Sequence, residues 1–539
     1  MTAEPTIRTL NDLLDAAARA RPRPGTLATP QMRLSYGDLR DQVLRTAAGM
    51  HAAGIGRGDR VAIVLRNGIP FVVSYFALAR LGAVAVPINF MVQKPADLAF
   101  MFQDCTAKAV VTQRDFLPAL RAAALLAPSM RHIWVSGPGH GAQAGAAESP
   151  FAELGAATPQ EPPEAPVQES DLAGILYTAG TTGVPKGVML THRNLVSNCL
   201  AGAAHMGLRR NDVMLCILPM FHAFAWTANI LTPMSMSVNV AIAPSVTPPR
   251  IWLSLMARQG VTIFTAVPPI LTVLASKATG LNRLLLRWWY FRRVRLAVSG
   301  AAPLHADTAR RFTAAFGLPL CEGYGLTETS PMAAINPVDR PRPGTVGLAL
   351  PGVSIRIADA EGRALPPGTD GEICIRGDCV MRGYLNQPAA TAEVIRPDGW
   401  FRTGDIGCLD ADGYLTIKDR IKDMIIVKGL KVFPAQVETA LLEHPAVAEA
   451  AVIGVPDETG DETVKGFVVL RPGTTVDRGE LLRHCRGRLD GYKRPRAIDV
   501  VAELPRNTLR KVLKRVLREG ELARRGRDAS HGTDDERPI

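Results

Sequence analysis

Apolar positions along the first hundred residues switch between two periods. Leu39, Val43, Ala47 and Met50 recur at helical spacing, and Gly54 then stops the helix. Short apolar runs at residues 61–65 and 84–87 alternate with further helical patterns. That alternation predicts a mainly parallel sheet with helices on its faces. From 136 to 171 the chain is rich in Ala, Gly, Pro and Glu with little periodicity, and it reads as a surface excursion with no core element. Farther on the texture changes. Residues 371–376 and 413–418 read as short strands bounded by turns such as Asp412-Gly413. Beyond Asp419 come small elements. Pro434 opens a helix with Val437, Leu441 and Leu442 on one side, strands follow at 447–453 and 467–470, and a basic helix comes after Lys511. A domain boundary is therefore expected at 419–422, and the last dozen residues read as disordered.

Composition narrows this picture. A chain of 539 residues holds roughly three domain-equivalents. Its 47% hydrophobic and 21% charged content belongs to a globular protein. No apolar run reaches the length of about 18 residues that a membrane helix needs. The nearest, 230–244, is broken by Thr232, Pro233, Ser235, Ser237 and Asn239. Glu4, Asp12 and Asp15 make the start unlike a signal peptide. The eight cysteines are scattered singly, with no Cys-x-x-Cys pair and no clustered histidines. These features predict a cytoplasmic, reducing location and no structural zinc. A net charge of +12 admits nucleic acid, an anionic membrane or a polyphosphate as partner. Much of the excess lies between 506 and 527, where a solvated helix face plus a tail accounts for it without nucleic acid.

The sharpest chemical signal is Tyr177-Thr178-Ala179-Gly180-Thr181-Thr182-Gly183-Val184-Pro185-Lys186-Gly187-Val188. An apolar strand runs into a loop whose glycines let backbone N–H groups approach an anion and whose threonines add donors. Such a loop suits a polyphosphate. Pro185, five positions after Gly180, excludes a Walker A loop. On composition alone, a merely structural Gly/Thr turn is the other reading.

With its partners in chain order, this loop resembles the phosphate signature of the adenylate-forming superfamily: acyl-CoA synthetases, peptide-synthetase adenylation domains and beetle luciferases. Tyr324-Gly325-Leu326-Thr327-Glu328 is similar to the second ATP motif, and Gly371-Glu372-Ile373-Cys374-Ile375-Arg376-Gly377 to another signature. Thr403-Gly404-Asp405, Asp419-Arg420-Ile421-Lys422-Asp423, Lys428-Gly429 and Pro505-Arg506-Asn507 with Lys511 follow in the family's order. The likeness runs from Leu34-Ser35-Tyr36 to Arg518.

The resemblance implies an α/β fold with a large multi-sheet N-terminal AMP-binding and acyl-pocket domain, 1–419, and a small mobile α/β C-terminal domain, 423–520. A hinge at 420–422 would join them, and 521–539 would be a disordered tail. It implies an ATP-dependent acyl-CoA ligase that uses Mg²⁺ and takes CoA as co-substrate. Thr178, Gly180, Thr181, Thr182, Gly183 and Lys186 would grip the β- and γ-phosphates, with Glu328 and Thr178 at the metal. Thr327 would contact the α-phosphate. Adenine would lie against Tyr324 and the Ser299-Gly300-Ala301-Ala302-Pro303 turn, with Glu322, Gly323 and Gly325 among the other ATP- and AMP-binding residues. Asp405 would take the ribose hydroxyls, with Arg420 helping. Lys511 would bridge carboxylate and α-phosphate in adenylation, although its setting among Lys514, Arg515 and Arg518, with Val512, Leu513, Val516 and Leu517 turned inward, also describes a solvated helix face. For thioesterification the small domain would swing about Lys422 and present Lys428, Gly429 and Lys431 to CoA; an ordinary tight turn is the alternative there.

Two positions depart from the family pattern. Ala179 replaces a usual Ser, and Arg510 a usual Gly before the catalytic lysine. The acyl pocket would be bordered by His222, Phe224, Trp226 and Gly300. Amino-acid-activating relatives carry Asp at the His222 position, so His222 argues against an amino acid, although a buried structural histidine reads equally well. A medium- or long-chain fatty acid is expected: 398–405 is similar to a stretch of fatty acyl-CoA synthetases, although aryl-acid ligases share most of it. Each buried methylene contributes about 0.8 kcal/mol to chain-length selection. The rivals are an aryl-acid CoA ligase, a ligase loading a carrier protein and a non-catalytic binding relative. Finally, residues 284–293 interleave Leu, Trp and Arg. This suits a peripheral membrane contact or an amphipathic core helix with exposed arginines. A homodimer is left open.

Overall fold

The helical pattern that begins at Leu39 becomes the helix Tyr36–Ala52, capped where the Ser35 hydroxyl accepts the Asp38 N–H. Leu39, Val43, Ala47 and Met50 are its buried face. The structure is a computed structural model; it describes residues 7–20, 22, 24–137, 147–158, 166–178, 185–427, 430–457, 461–506 and 512–531. It divides into two compact units, Met1–Ile355 with Cys374–Arg402 and Gly413–Leu415, and Arg356–Ile373 with Thr403–Asp412 and Thr416–Ile539.

The first unit carries two large sheets. A nine-stranded one runs in the order Leu348–Ala349, Met332–Ile335, Leu320–Gly325, Leu296–Ser299, Ile263–Ala266, Val213–Cys216, Asn239–Ile242, Thr26–Ala28, Arg33–Ser35. Its middle is parallel and its two ends antiparallel. Strands such as Ile263–Ala266 and Leu296–Ser299 are buried at every position, as continuous apolar runs in a parallel sheet should be. The eight-stranded sheet runs Gly383–Tyr384, Lys186–Thr191, Leu172–Thr178, Val84–Pro87, Arg60–Val64, Ala109–Gln113, His132–Ser136, Ala147–Pro150.

That last strand corrects one expectation. Ala147–Pro150 pairs in parallel with His132–Ser136, and the turn of helix Phe151–Leu154 buries Leu154 against Gly49, whose missing Cβ makes the room. A four-residue strand is too short for its period to show through alanine- and proline-rich surroundings. The apolar run at 230–244 resolves into a π-helix, Phe224–Leu231, the short helix Thr232–Ser235 and the strand Asn239–Ile242. Among the described residues no helix is long and apolar enough to cross a membrane. None of the eight cysteines is in a disulfide.

A four-stranded sheet orders Val353–Ala358, Gly371–Gly377, Phe401–Leu409 and Leu415–Arg420. Gly413, expected in the last strand, turns at φ +85° just before it. A three-stranded sheet, Val447–Pro456, Glu462–Leu470 and Ala497–Val500, packs Val452, Val464 and Val468 on Val437 and Leu441 of the helix Pro434–Leu442. The basic helix begins at Lys514, and its faces differ from the expectation. Lys514 is not a solvated cation: its Nζ lies 2.8 Å from Glu438 Oε1, and Val516 is exposed instead. The half-buried carboxylate of Glu438 sets the phase of the helix more strongly than a single valine does. Lys465, also buried, bridges Asp499 and Glu521 at 2.8 Å each.

Candidate active site

In the first unit the antiparallel pair Leu172–Thr178 and Lys186–Thr191 places Thr178 directly opposite Lys186. Gly383–Tyr384 pairs on the other side of the second strand, opposite Met189 and Val188. This brings the Tyr384 ring under Lys186, whose Nζ lies 4.9 Å from the ring centroid. The Tyr384 hydroxyl donates to Glu328 Oε1 at 3.0 Å, and the Met381 N–H donates to the Glu328 carbonyl at 2.8 Å. Lys186, Tyr384 and Glu328 thus form one chain of contacts. Tyr384 was missed in sequence reasoning: its neighbour in space is 56 residues away, and a lone Gly-Tyr pair carries no chemical pattern. Burial, with the nearby Glu328 carboxylate, pushes its hydroxyl pKa upward, so it stays a donor.

Glu328 is the middle residue of a short turn, Thr327–Thr329, closed by the Thr329 hydroxyl on the Leu326 backbone. The strand before it, Leu320–Gly325, holds Glu322, Gly323 and Tyr324. A Cβ on Gly325 would fall 1.6 Å from the Pro331 carbonyl oxygen, so glycine there permits close packing of the Met332–Ile335 hairpin partner. Glu322 accepts the Leu304 N–H at 3.1 Å, and burial raises its carboxyl pKa to about 7. The turn after Leu296–Ser299 holds Gly300, Ala301 and Ala302. Ala301 sits at φ +68°, left-handed backbone that costs a non-glycine residue about 1–2 kcal/mol. Both turns follow the carboxyl ends of neighbouring parallel strands, where open α/β sheets bind ligands.

On the acyl side, Phe224 packs on Gly300, where an added Cβ would stand 3.1 Å from the ring edge. His222 lies against Phe221, ring centroids 4.2 Å apart; its Nε2 is buried with no partner among the described residues. Burial lowers its pKa to about 3, so the ring is neutral. Trp226 turns onto the helix Ile69–Arg80 instead, stacked on Tyr75 at 4.2 Å between Phe71 and Phe76. It is a packing residue of the core.

In the second unit Asp405 is buried and pairs with Arg420 Nε at 2.9 Å. The Thr403 hydroxyl receives the Asp405 N–H and donates to the Ile373 carbonyl, and the Gly404 N–H bonds Glu372. Desolvation, then the Arg420 charge, lowers the Lys422 pKa. Lys431 is exposed on the hairpin Ile425–Val427 and Leu430–Val432. Gly180, Thr181, Thr182, Gly183, Lys428, Gly429 and Lys511, with the variant positions Ala179 and Arg510, lie outside the described residues.

In the first unit a carboxylate is braced by a tyrosine whose ring also lies under a lysine, and in the second a buried aspartate pairs with an arginine. The AMP-binding enzyme family matches residues 14–385, and its C-terminal domain family matches 436–511. The chain belongs to this family of adenylate-forming acyl-CoA synthetases and is an AMP-forming acid–thiol ligase. It is 35% identical over 94% of its length to a feruloyl-CoA synthase of an Amycolatopsis species, of which it covers 97%. It is 34% identical over 87% to a long-chain-fatty-acid–CoA ligase of Yersinia pestis, covering 86% of that protein. The ATP-bound MatB structure from Rhodopseudomonas palustris superposes with a TM-score of 0.86 at 34% identity, over 95% of this chain and 99% of that one.

Among the described residues no group of three or more His, Cys, Asp or Glu could hold a metal. One carboxylate suits Mg²⁺, which keeps waters and takes phosphate oxygens in place of an all-protein cage.

Proposed function

We propose that the chain converts an acid with an uncharged, apolar tail to its CoA thioester, and that the acid is a medium- or long-chain fatty acid. The observation that carries the first part is a histidine kept neutral by burial, His222, packed on the Phe221 ring, together with Phe224 packed on Gly300: these groups offer apolar surface and no charge of their own to a substrate tail. In the first half-reaction a carboxylate oxygen attacks the α-phosphorus of ATP, and pyrophosphate departs. Two anions meet, so the site must neutralise charge. Lys186 and Thr178 are assigned to the β- and γ-phosphates, Thr327 to the α-phosphate and Lys511 to the joining oxygens. Glu328, braced by Tyr384, would hold Mg²⁺, which supplies further positive charge on the phosphates. Glu322, Gly323, Tyr324 and the 300–302 turn are assigned to adenine, and Asp405 with Arg420 to the ribose. In the second half-reaction the CoA sulfur bonds the acyl carbon, AMP leaves with the electron pair and the thiol proton goes to solvent. Lys428, Gly429 and Lys431 are assigned to CoA.

A second reading, an aryl acid of the hydroxycinnamate class, is supported by the 35% identity to the Amycolatopsis feruloyl-CoA synthase. Pyrophosphate release and acyl-CoA formation measured across fatty acids, benzoates and cinnamates decide between them. Preference for the fatty acids upholds the proposal, and preference for cinnamates replaces it with the second reading. Pyrophosphate without acyl-CoA would move the thiol acceptor to a carrier protein.

A further inference from the structure

The helix Gly280–Leu285 runs without a break into the π-helical turn Leu286–Tyr290, and only Leu286 of its large apolar residues is buried. Leu281, Leu284, Leu285 and Trp288 follow the spacing i, i+3, i+4, i+7 and form one stripe. Their exposures are 85%, 54%, 49% and 66%, and Trp289 beside them is 57% exposed. A core helix would turn this stripe inward. Here it faces out, and exposed apolar patches of this kind mark interaction surfaces.

The charges carried by this stretch of the chain have one sign. Between Asp212 and Asp307 the sequence contains no Asp or Glu, while Lys277, Arg283, Arg287, Arg292 and Arg293 cluster along the stripe. Two of these cations serve the fold: Arg283 donates to the Ala314 and Ala315 carbonyls at the end of the helix Ala306–Phe316, and Arg287 lies beside Gly317. Arg292 and Arg293 remain exposed, Arg293 with its side chain lying along Gly260 and the Arg292 guanidinium 5.9 Å from the Trp289 ring centroid. Indoles and leucines flanked by arginines match the boundary between lipid headgroups and acyl chains. A second copy of the chain is the poorer occupant, because a twofold contact would press this basic patch against itself.

We propose that residues 281–293 form a docking surface for an anionic lipid bilayer, with Leu281, Leu284, Leu285, Trp288 and Trp289 entering the interface and Arg292 and Arg293 binding lipid phosphates. The inference does not depend on which acid the enzyme activates. It is tested by co-sedimentation of the full-length protein with phosphatidylcholine vesicles, with and without phosphatidylglycerol, at low and high salt. The wild type should bind the anionic vesicles and release them as salt rises. Trp288→Ser with Trp289→Ser should weaken that binding by about tenfold or more, since two interfacial anchors are lost. Arg292→Gln with Arg293→Gln should weaken it and flatten the salt dependence. The tryptophan variant should keep the wild-type melting temperature, because both indoles are exposed. Failure of the wild type to bind anionic vesicles at low salt overturns the proposal, as does full binding by the tryptophan variant. So does a concentration-dependent dimer that the tryptophan variant disperses without any effect of vesicles.

Discussion

Tyr384 joins two groups that sequence motifs treat separately, Lys186 of the phosphate loop and Glu328 of the second ATP motif. Tyr384→Phe keeps the ring beneath the lysine and deletes only the hydroxyl that braces the carboxylate. A hydrogen bond to a charged group is worth about 1.5 kcal/mol, so acid-dependent pyrophosphate release should slow about tenfold. Conversion of supplied acyl-AMP to acyl-CoA should not change, and an equal loss in both assays would contradict the assignment. Glu322 and His222 give a second test at this scale, through pH. The Glu322 pKa is raised in the folded state to about 7, so its contribution to stability is complete below the ordinary carboxyl range, near 4.5, and lost as pH rises through 7. His222 is depressed to about 3, so its contribution is complete above 6.5 and lost as pH falls toward 3. Urea titrations should therefore show Glu322→Gln gaining stability relative to wild type between pH 5 and pH 8, on the order of 2 kcal/mol. A difference that stays constant with pH would show that Glu322 ionises freely.

At the scale of elements, Lys465 shows where stability is concentrated in the second unit. Its ammonium links the strand Glu462–Leu470 to Asp499 on Ala497–Val500 and to the buried Glu521 of the terminal helix. Removing one partner of a buried pair leaves a charge without compensation, at about 3–5 kcal/mol. Lys465→Met should lower the urea midpoint accordingly and speed amide exchange in the strands Val447–Pro456 and Glu462–Leu470. Adding Glu521→Leu should restore much of the loss, and a single variant as stable as wild type would remove Lys465 from that role. None of this network was legible in sequence, where Lys465 is one lysine in an apolar strand. What was legible had a period: Leu39 to Met50, the run at 84–87, Pro434 to Leu442. Ala147–Pro150 was missed because four residues carry too little pattern. The phase of the Lys514 helix was missed because a partner 76 residues upstream, Glu438, sets it.

For the whole molecule, motifs told more than patterns did, since residues tied to one chemistry keep their order wherever the chain carries them. Glu328, Asp405 and Arg420 could be proposed for that reason, whereas Trp226, proposed for the acyl pocket, packs against the Ile69–Arg80 helix. The two half-reactions ask for opposite things: the first needs a cation on oxygens shared by two anions, the second a passage for a thiol to an acyl carbon that has already lost its charge. Assigning Lys511 to the first and Gly429 to the second makes the two steps separable by mutation. Lys511→Ala should cut acid-dependent pyrophosphate release by about 10² to 10³, the usual cost of one preorganised charge-stabilising donor. The same variant should still turn supplied acyl-AMP and CoA into acyl-CoA at close to the wild-type rate. Gly429→Trp should reverse the pattern, releasing pyrophosphate normally while thioester formation fails. If both variants lose both activities in equal measure, one arrangement of the chain serves both steps, and the proposed hinge at 420–422 has no work to do.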